Sequence, residues 1–286
     1  MREMKSILFI MVLSFSGFWL TSCAPEKDEE ALKAEAREIH DRVLTVDTHS
    51  DTPSLMLRRG WDIGERHEPG QRRSGKIDLP RMAEGGLDAE FFAAYIGQGE
   101  RTSEGYARAR ERANLLLGAF IGMENGYPIG KDLSLVKEYY DRGIRYITLC
   151  HSGDNDICDS STDKRNPEDK GLSDFGREVV AECNRLGIMV DVSHASDKSF
   201  FDVLEVTKAP VIASHSSVRS LCDHPRNFSD EMLKALASNN GVIQICFVSS
   251  FVKKAKPNPE REKALAKLSE KYGSWSEVRD ESVREK

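Results

Sequence analysis

Short β-rich runs alternate with helical stretches along most of this chain. That alternation restricts it to α/β architectures with a largely parallel sheet. The runs fall at residues 43–47, 89–94, 120–123, 144–149, 188–192, 211–213 and 242–247. Between them, apolar residues recur at helical spacing. In the segment 172–186, Phe175, Val179, Cys183 and Leu186 share one face, with Ser173 placed to cap its start and Gly187 to end it. Segments 103–118, 201–207 and 230–238 read as further helices, and the charged stretch after Lys253, with Leu265, Leu268 and Tyr272 at helical spacing, as an exposed helix or lid. Polar residues stand just past the ends of several strands, the habit of a (β/α)8 TIM-type barrel whose active site lies at the C-terminal rim. A doubly wound open sheet is the competing architecture. No Gly-x-Gly-x-x-Gly follows the first strand, so its nucleotide-binding versions have little support.

The strand ends carry metal-ligating chemistry. His49 and Asp51 follow the first run, and alternate residues of extended chain point the same way, so their side chains can converge on one ion. Glu124 follows the third run, His194 ends the fifth and His215 the sixth. A lone strand-end histidine is usually structural, His-x-Asp recurs by chance, and Glu124 alone reads as surface charge. Their joint placement at four strand ends changes the balance. Imidazole and carboxylate suit zinc and similar borderline cations, and three His, one Asp and one Glu can hold two ions if one carboxylate bridges them.

Segments 46–53 (VDTHSDTP), 145–161 (RYITLCHSGDNDICDSS), 171–194 (GLSDFGREVVAECNRLGIMVDVSH) and 209–247, the last including VIASHSS and His224-Pro225-Arg226-Asn227, resemble the membrane (renal) dipeptidase family, peptidase family M19. The resemblance runs from about His40 to Phe247. It implies a (β/α)8 barrel with a binuclear zinc centre: His49, Asp51 and Glu124 on one ion, and Glu124, His194 and His215 on the other, so that Glu124 bridges. It also implies that His151 contacts the scissile region as a catalytic and substrate-binding residue, and that Arg226 binds the substrate carboxylate. Guanidinium geometry suits that capture; the plain alternative for Arg226 is a surface salt bridge. The implied reaction is hydrolysis of a dipeptide's amide bond by hydroxide bridging two zinc ions. The family's eighth strand ends in a Gly-Ser-Asp-Phe-like segment whose Asp is catalytic, and no such segment occurs here. The barrel is therefore expected to be truncated before its eighth strand, with two unpaired edges.

Residues 1–22 combine Arg2 and Lys5, a short apolar run and Leu20-Thr21-Ser22 before Cys23. This is the pattern of a secretory signal, too short for a comfortable membrane span, and it resembles a lipobox with Cys23 as the lipidated residue. Residues 23–38 then read as a polar tether, with Lys27-Asp28-Glu29 resembling a short lipoprotein export signal, and 39–286 as the barrel domain. The expected location is a bacterial cell envelope, lipid-anchored, facing either the periplasm or the outside. The formal net charge is −6, and an acidic balance argues against nucleic-acid partners. The five cysteines after Cys23 form no Cys-x-x-Cys pair, against a zinc ribbon. The residues leave the oligomeric state open, a homodimer included. Two other readings stay open: another amidohydrolase-type metal hydrolase on the same barrel, and a non-catalytic surface lipoprotein or inactive fragment.

Overall fold

The computed structural model describes residues 28–71, 74–116, 122–165, 168–254 and 258–272. The expected signal segment and Cys23 lie outside the described residues. The chain divides into two units, residues 1–43 and 44–286. In the first, Glu29–His40 is a helix whose start is capped by Asp28, its carboxylate accepting from the Ala31 N–H at 2.7 Å. Within the stretch read as a polar tether, residues 23–38, the chain is helical from Glu29 onward. No described helix is long and apolar enough to cross a membrane.

In the second unit, seven parallel strands pair in sequence order: β1 (Val46–Ser50), β2 (Ala89–Tyr95), β3 (Gly122–Glu124), β4 (Tyr146–Thr148), β5 (Met189–Asp191), β6 (Ile212–Ser216) and β7 (Val242–Ile245). Helices at Ser103–Leu116, Ser134–Asp141, Asp174–Leu186, Asp197–Val206 and Asp230–Ser238 return the chain between strands. The sheet curls so far that the Thr48 hydroxyl of β1 donates to the Ser214 carbonyl of β6 at 2.9 Å. The result is a near-closed seven-stranded barrel sheet flanked by helices. Among the described residues β1 and β7 are its two edges, and Val46, Val242 and Ile245 there are more than one-third exposed.

Local chemistry accounts for the elements. The helix Asp174–Leu186 begins where Ser173 accepts from the Gly176 N–H and ends at Gly187, whose φ of +77° is the left-handed conformation glycine adopts freely. Its Val179, Val180 and Cys183 are buried in a core with Met123, Ile147 and Val190. The first strand begins three residues later than its hydropathy suggests. Thr45 is held instead by Asp88 and the Gly86 carbonyl, ahead of β2, which leaves Val43 and Leu44 exposed. The sixth strand runs through His215, and the fifth stops at Asp191, before His194. The charged stretch after Lys253 does contain an exposed helix, Pro259–Tyr272.

Asp78 anchors the long β1–β2 connection. It is fully buried, caps the helix Leu79–Gly85 through the Arg81 N–H, pairs with the Arg81 guanidinium at 2.7 Å and accepts from the His67 N–H. Burial alone would raise its pKa. The backbone donors of Arg81 and His67 and the Arg81 charge overcome that and hold it at about 2. A carboxyl depressed in the folded state stabilises above its unfolded pKa of roughly 3.9 and loses that contribution as pH falls through the folded value. Asp78→Asn should therefore cost about 2 kcal/mol at pH 7. In urea unfolding across a pH series, its deficit should shrink between roughly pH 4 and pH 2. A deficit independent of pH would show that shape, not charge, is what Asp78 contributes.

Candidate metal centre

Five strand-end regions deliver side chains to the barrel interior around one carboxylate. Glu124 ends β3 with 2% of its surface exposed. Its Oε1 lies 3.2 Å from His194 Nε2, 3.4 Å from His215 Nε2 and 3.5 Å from His151 Nε2, and its Oε2 lies 3.6 Å from His49 Nε2. Asp51 Oδ1 stands 3.7 Å from His49 Nε2 at the cavity mouth. His194 and His215 bring their Nε2 atoms within 2.9 Å. The ligand-capable atoms fall into two groups sharing Glu124, one with His49 and His215 and one with His151 and His194.

The His194–His215 approach has the length of a hydrogen bond, whereas the imidazole–carboxylate separations match coordination. Two ligands of a tetrahedral zinc, each about 2.0–2.1 Å from the ion, sit roughly 3.3 Å apart. Four of the imidazole–carboxylate separations lie between 3.2 and 3.6 Å. Glu124 Oε2 is buried without a hydrogen-bond partner, as is His194 Nδ1. A buried carboxylate lacking partners is costly unless a cation compensates it. Donor chemistry, spacing and the orphaned oxygen all fit a binuclear zinc site with Glu124 shared.

The electrostatics divide the imidazoles. Burial would raise the Glu124 carboxyl, but its contacts with His194, His215 and His49 hold it well below the usual range. Burial would lower His49, but Asp51 and Glu124 lift it to about 10. Burial keeps His194 and His215 below the usual imidazole range, aided by the positive charges of Arg226 and of His49 respectively. Neutral imidazole is the form that binds a cation.

Three of the four imidazoles are held from behind. Tyr146 Oη meets His49 Nδ1 at 3.3 Å, and Gly122 makes room for that ring, since a Cβ there would sit 2.0 Å from it. Ser152 Oγ meets His151 Nδ1 at 2.6 Å, and Ser214 Oγ meets His215 Nδ1 at 2.8 Å. The backbone at His194 takes φ +70°, a rare value for a residue with a Cβ, and this turns its ring inward beyond the end of β5. After Glu124, Asn125 at φ +86° donates to the Ile96 carbonyl and accepts from the Tyr127 N–H and from Asn155, tying three connections together. Tyr146, Ser152, Ser214 and Asn125 are ordinary in the sequence, and only their adjacency to ligand-type residues marks them.

The site opens into a cavity of ≈ 1110 Å³ between the edge strands, above the roughly 300–1,000 Å³ of most small-molecule pockets. Arg226, 5% exposed, lines it and donates to the His215 carbonyl at 3.1 Å. The Phe251 ring centre lies 5.5 Å from its guanidinium carbon.

The model of the membrane dipeptidase family, peptidase family M19, matches residues 33–117 and 107–272. The chain belongs to the M19 membrane dipeptidase family. An uncharacterized dipeptidase of Schizosaccharomyces pombe is 32% identical over 274 residues, covering 80% of this chain and 65% of the relative. Dipeptidase 3 of Mus musculus is 32% identical over 232 residues, covering 70% of this chain and 46% of the relative. The chain thus spans between about half and two thirds of the length of these relatives. Among solved structures, the probable dipeptidase PvdM of Pseudomonas aeruginosa superposes with a TM-score of 0.70 at 25% identity, over 85% of this chain and 68% of that one.

Metal-depleted protein titrated with zinc against a chromophoric chelator should take up about two equivalents. Glu124→Gln should weaken zinc binding by more than the roughly 10–100-fold typical of losing an outer hydrogen-bond partner. Unchanged affinity in that variant would remove the shared role of Glu124.

Proposed function

We propose that this chain belongs to an enzyme that hydrolyses the peptide bond of dipeptides with a pair of zinc ions. The observation that carries the proposal is Glu124, whose two oxygens face different imidazoles in the floor of a cavity that Arg226 lines. In this reading His49, Asp51 and Glu124 would hold one ion, and Glu124, His194 and His215 the other. When bound, the zinc pair would polarise the scissile carbonyl and make water nucleophilic near neutral pH.

The chain's own residues supply the rest. Arg226 commits one N–H to the His215 carbonyl, leaving further donors of its fork for the substrate's terminal carboxylate. That contact fixes one end of the substrate and so supplies orientation. Burial keeps His151 below the usual imidazole range. Ser152 Oγ lies 2.6 Å from its Nδ1; in this reading the hydroxyl donates there, and a neutral His151 keeps an Nε2–H for the carbonyl oxygen as charge develops. Membership of M19, and relatives named as dipeptidases, support this reading over other amidohydrolase chemistry.

We also assign residues 1–22 to a lipoprotein signal and Cys23 to lipid attachment at a bacterial cell envelope, on the basic, apolar and small-residue pattern that precedes Cys23. Cys23→Ser should move the full-length protein from the membrane to the soluble fraction of its host; continued membrane recovery would remove that role.

Arg226→Ala should lower kcat/KM for dipeptides by about 10–100-fold, the loss of a charge-assisted hydrogen-bond pair, chiefly through KM. An analogue with an ester in place of the terminal carboxylate should be affected far less. Equal losses on both substrates would contradict the carboxylate role, and dipeptide turnover that survives complete metal removal would contradict the reaction itself.

A further inference from the structure

Asp191, at the end of β5, has no exposed surface and lies outside the ligand cluster. Its carboxylate accepts four hydrogen bonds. Oδ2 takes the Thr148 hydroxyl and the Ser214 hydroxyl, both at 2.6 Å, and Oδ1 takes the Ser193 and Ser214 N–H groups, both at 3.0 Å. The acid therefore ties together the ends of three neighbouring strands. Ser214 Oγ also meets His215 Nδ1 at 2.8 Å, and the His215 N–H donates to Ser193 Oγ at 3.0 Å.

A hydroxyl has one proton to donate, and a carboxylate can only accept. Each of the two Asp191 oxygens accepts from two donors. The Ser214 proton is thus committed to Asp191, and Ser214 Oγ can only accept from His215. The His215 ring must then carry its proton on Nδ1, leaving the Nε2 lone pair bare, 3.4 Å from Glu124 Oε1 and placed to accept from His194 Nε2 at 2.9 Å. His194 has no such support, since its Nδ1 is buried without a hydrogen-bond partner.

We propose that Asp191 and Ser214 are positioning residues that set the tautomer of His215 before a metal arrives. The proposal rests on the reading of His215 as a zinc ligand, and it explains why an unreactive buried acid stands behind that ligand. Presetting the tautomer removes a proton shift from the binding step. It also holds the ring in place, the service that outer hydrogen bonds give to metal-bound histidines.

The substitution Asp191→Asn separates this from packing alone. The amide is nearly the same shape, but its NH2 group would donate to Ser214 Oγ. The hydroxyl proton would then turn to His215 Nδ1, forcing the ring proton onto Nε2. The Asp→Asn change in the serine-protease triad acts through a wrong tautomer in the same way.

The test is long-range ¹H–¹⁵N correlation NMR of the metal-free full-length protein at pH 7.5, with zinc affinity measured on the same samples by chelator competition. Wild type should show His215 as the Nδ1–H tautomer. Asp191→Asn should show Nε2–H and bind zinc roughly 10–100-fold more weakly. Ser214→Ala should lose the tautomer preference, and Ser214→Thr, which keeps the hydroxyl, should restore both readouts. Should Asp191→Asn fail to fold, the Ser214 pair decides. An Nε2–H tautomer in wild type, or an unchanged tautomer and zinc affinity in Ser214→Ala, would overturn the proposal. The tautomer is read without metal or substrate. A wild-type protein that shows Nδ1–H yet binds no zinc would sink the metal-centre reading, whereas one that binds zinc with the wrong tautomer would sink only this inference.

Discussion

Glu124 places a carboxylate in the interior of the barrel with almost none of its surface in contact with water. An isolated buried charge costs several kcal/mol unless it is compensated. The surrounding structure is organised around that compensation. Four imidazoles from separate rim positions turn a ring nitrogen toward Glu124, and each oxygen of the carboxylate faces a different part of the ring cluster. One imidazolium can balance the charge in the absence of metal, and His49, raised by Asp51 and Glu124, is the group suited to it. His194 and His215 stay neutral. His194 and His215, with their Nε2 atoms 2.9 Å apart, face the same carboxylate oxygen.

The fold serves this arrangement by rigidity at the strand ends. Parallel strands in sequence order bring successive C-terminal ends to one rim, and the curl that joins Thr48 to Ser214 brings His49 against His215, ring centres 3.8 Å apart. Backbone strain is concentrated at two of these positions, Asn125 and His194, both with positive φ. Strain of this kind persists only where surrounding contacts hold it. At Asn125 those contacts reach Ile96, Tyr127 and Asn155. Asp191 ties the ends of β4, β5 and β6 together through Thr148, Ser193 and Ser214.

Much of this is legible in the chain. Strand–helix alternation and the ligand types at strand ends suffice for a barrel with a metal rim, because hydrophobic period and ligand chemistry are both local properties. The helix at 174–186 reads almost to the residue because Ser173 and Gly187 are unambiguous punctuation. The register of β1 does not, since Val43 and Leu44 look like strand and are exposed, and what starts β1 is the distant contact between Thr45 and Asp88. The helices at Leu79–Gly85 and Ser134–Asp141 escape a reading by apolar period because one is short and the other is capped weakly. His151 stands as close to Glu124 as the expected ligands do, a proximity that spacing along the chain cannot reveal. The roles of Tyr146, Asp191 and Ser214 arise only from packing, in which chemically common residues meet a histidine from behind.

The most direct test of the central claim is diffraction at the zinc absorption edge from crystals of the zinc-loaded full-length protein. Two anomalous peaks on opposite sides of the Glu124 carboxylate, one beside His49 and the other beside His194 and His215, are the predicted result. A single peak, or peaks elsewhere with Glu124 bound only to imidazole N–H groups, would contradict it.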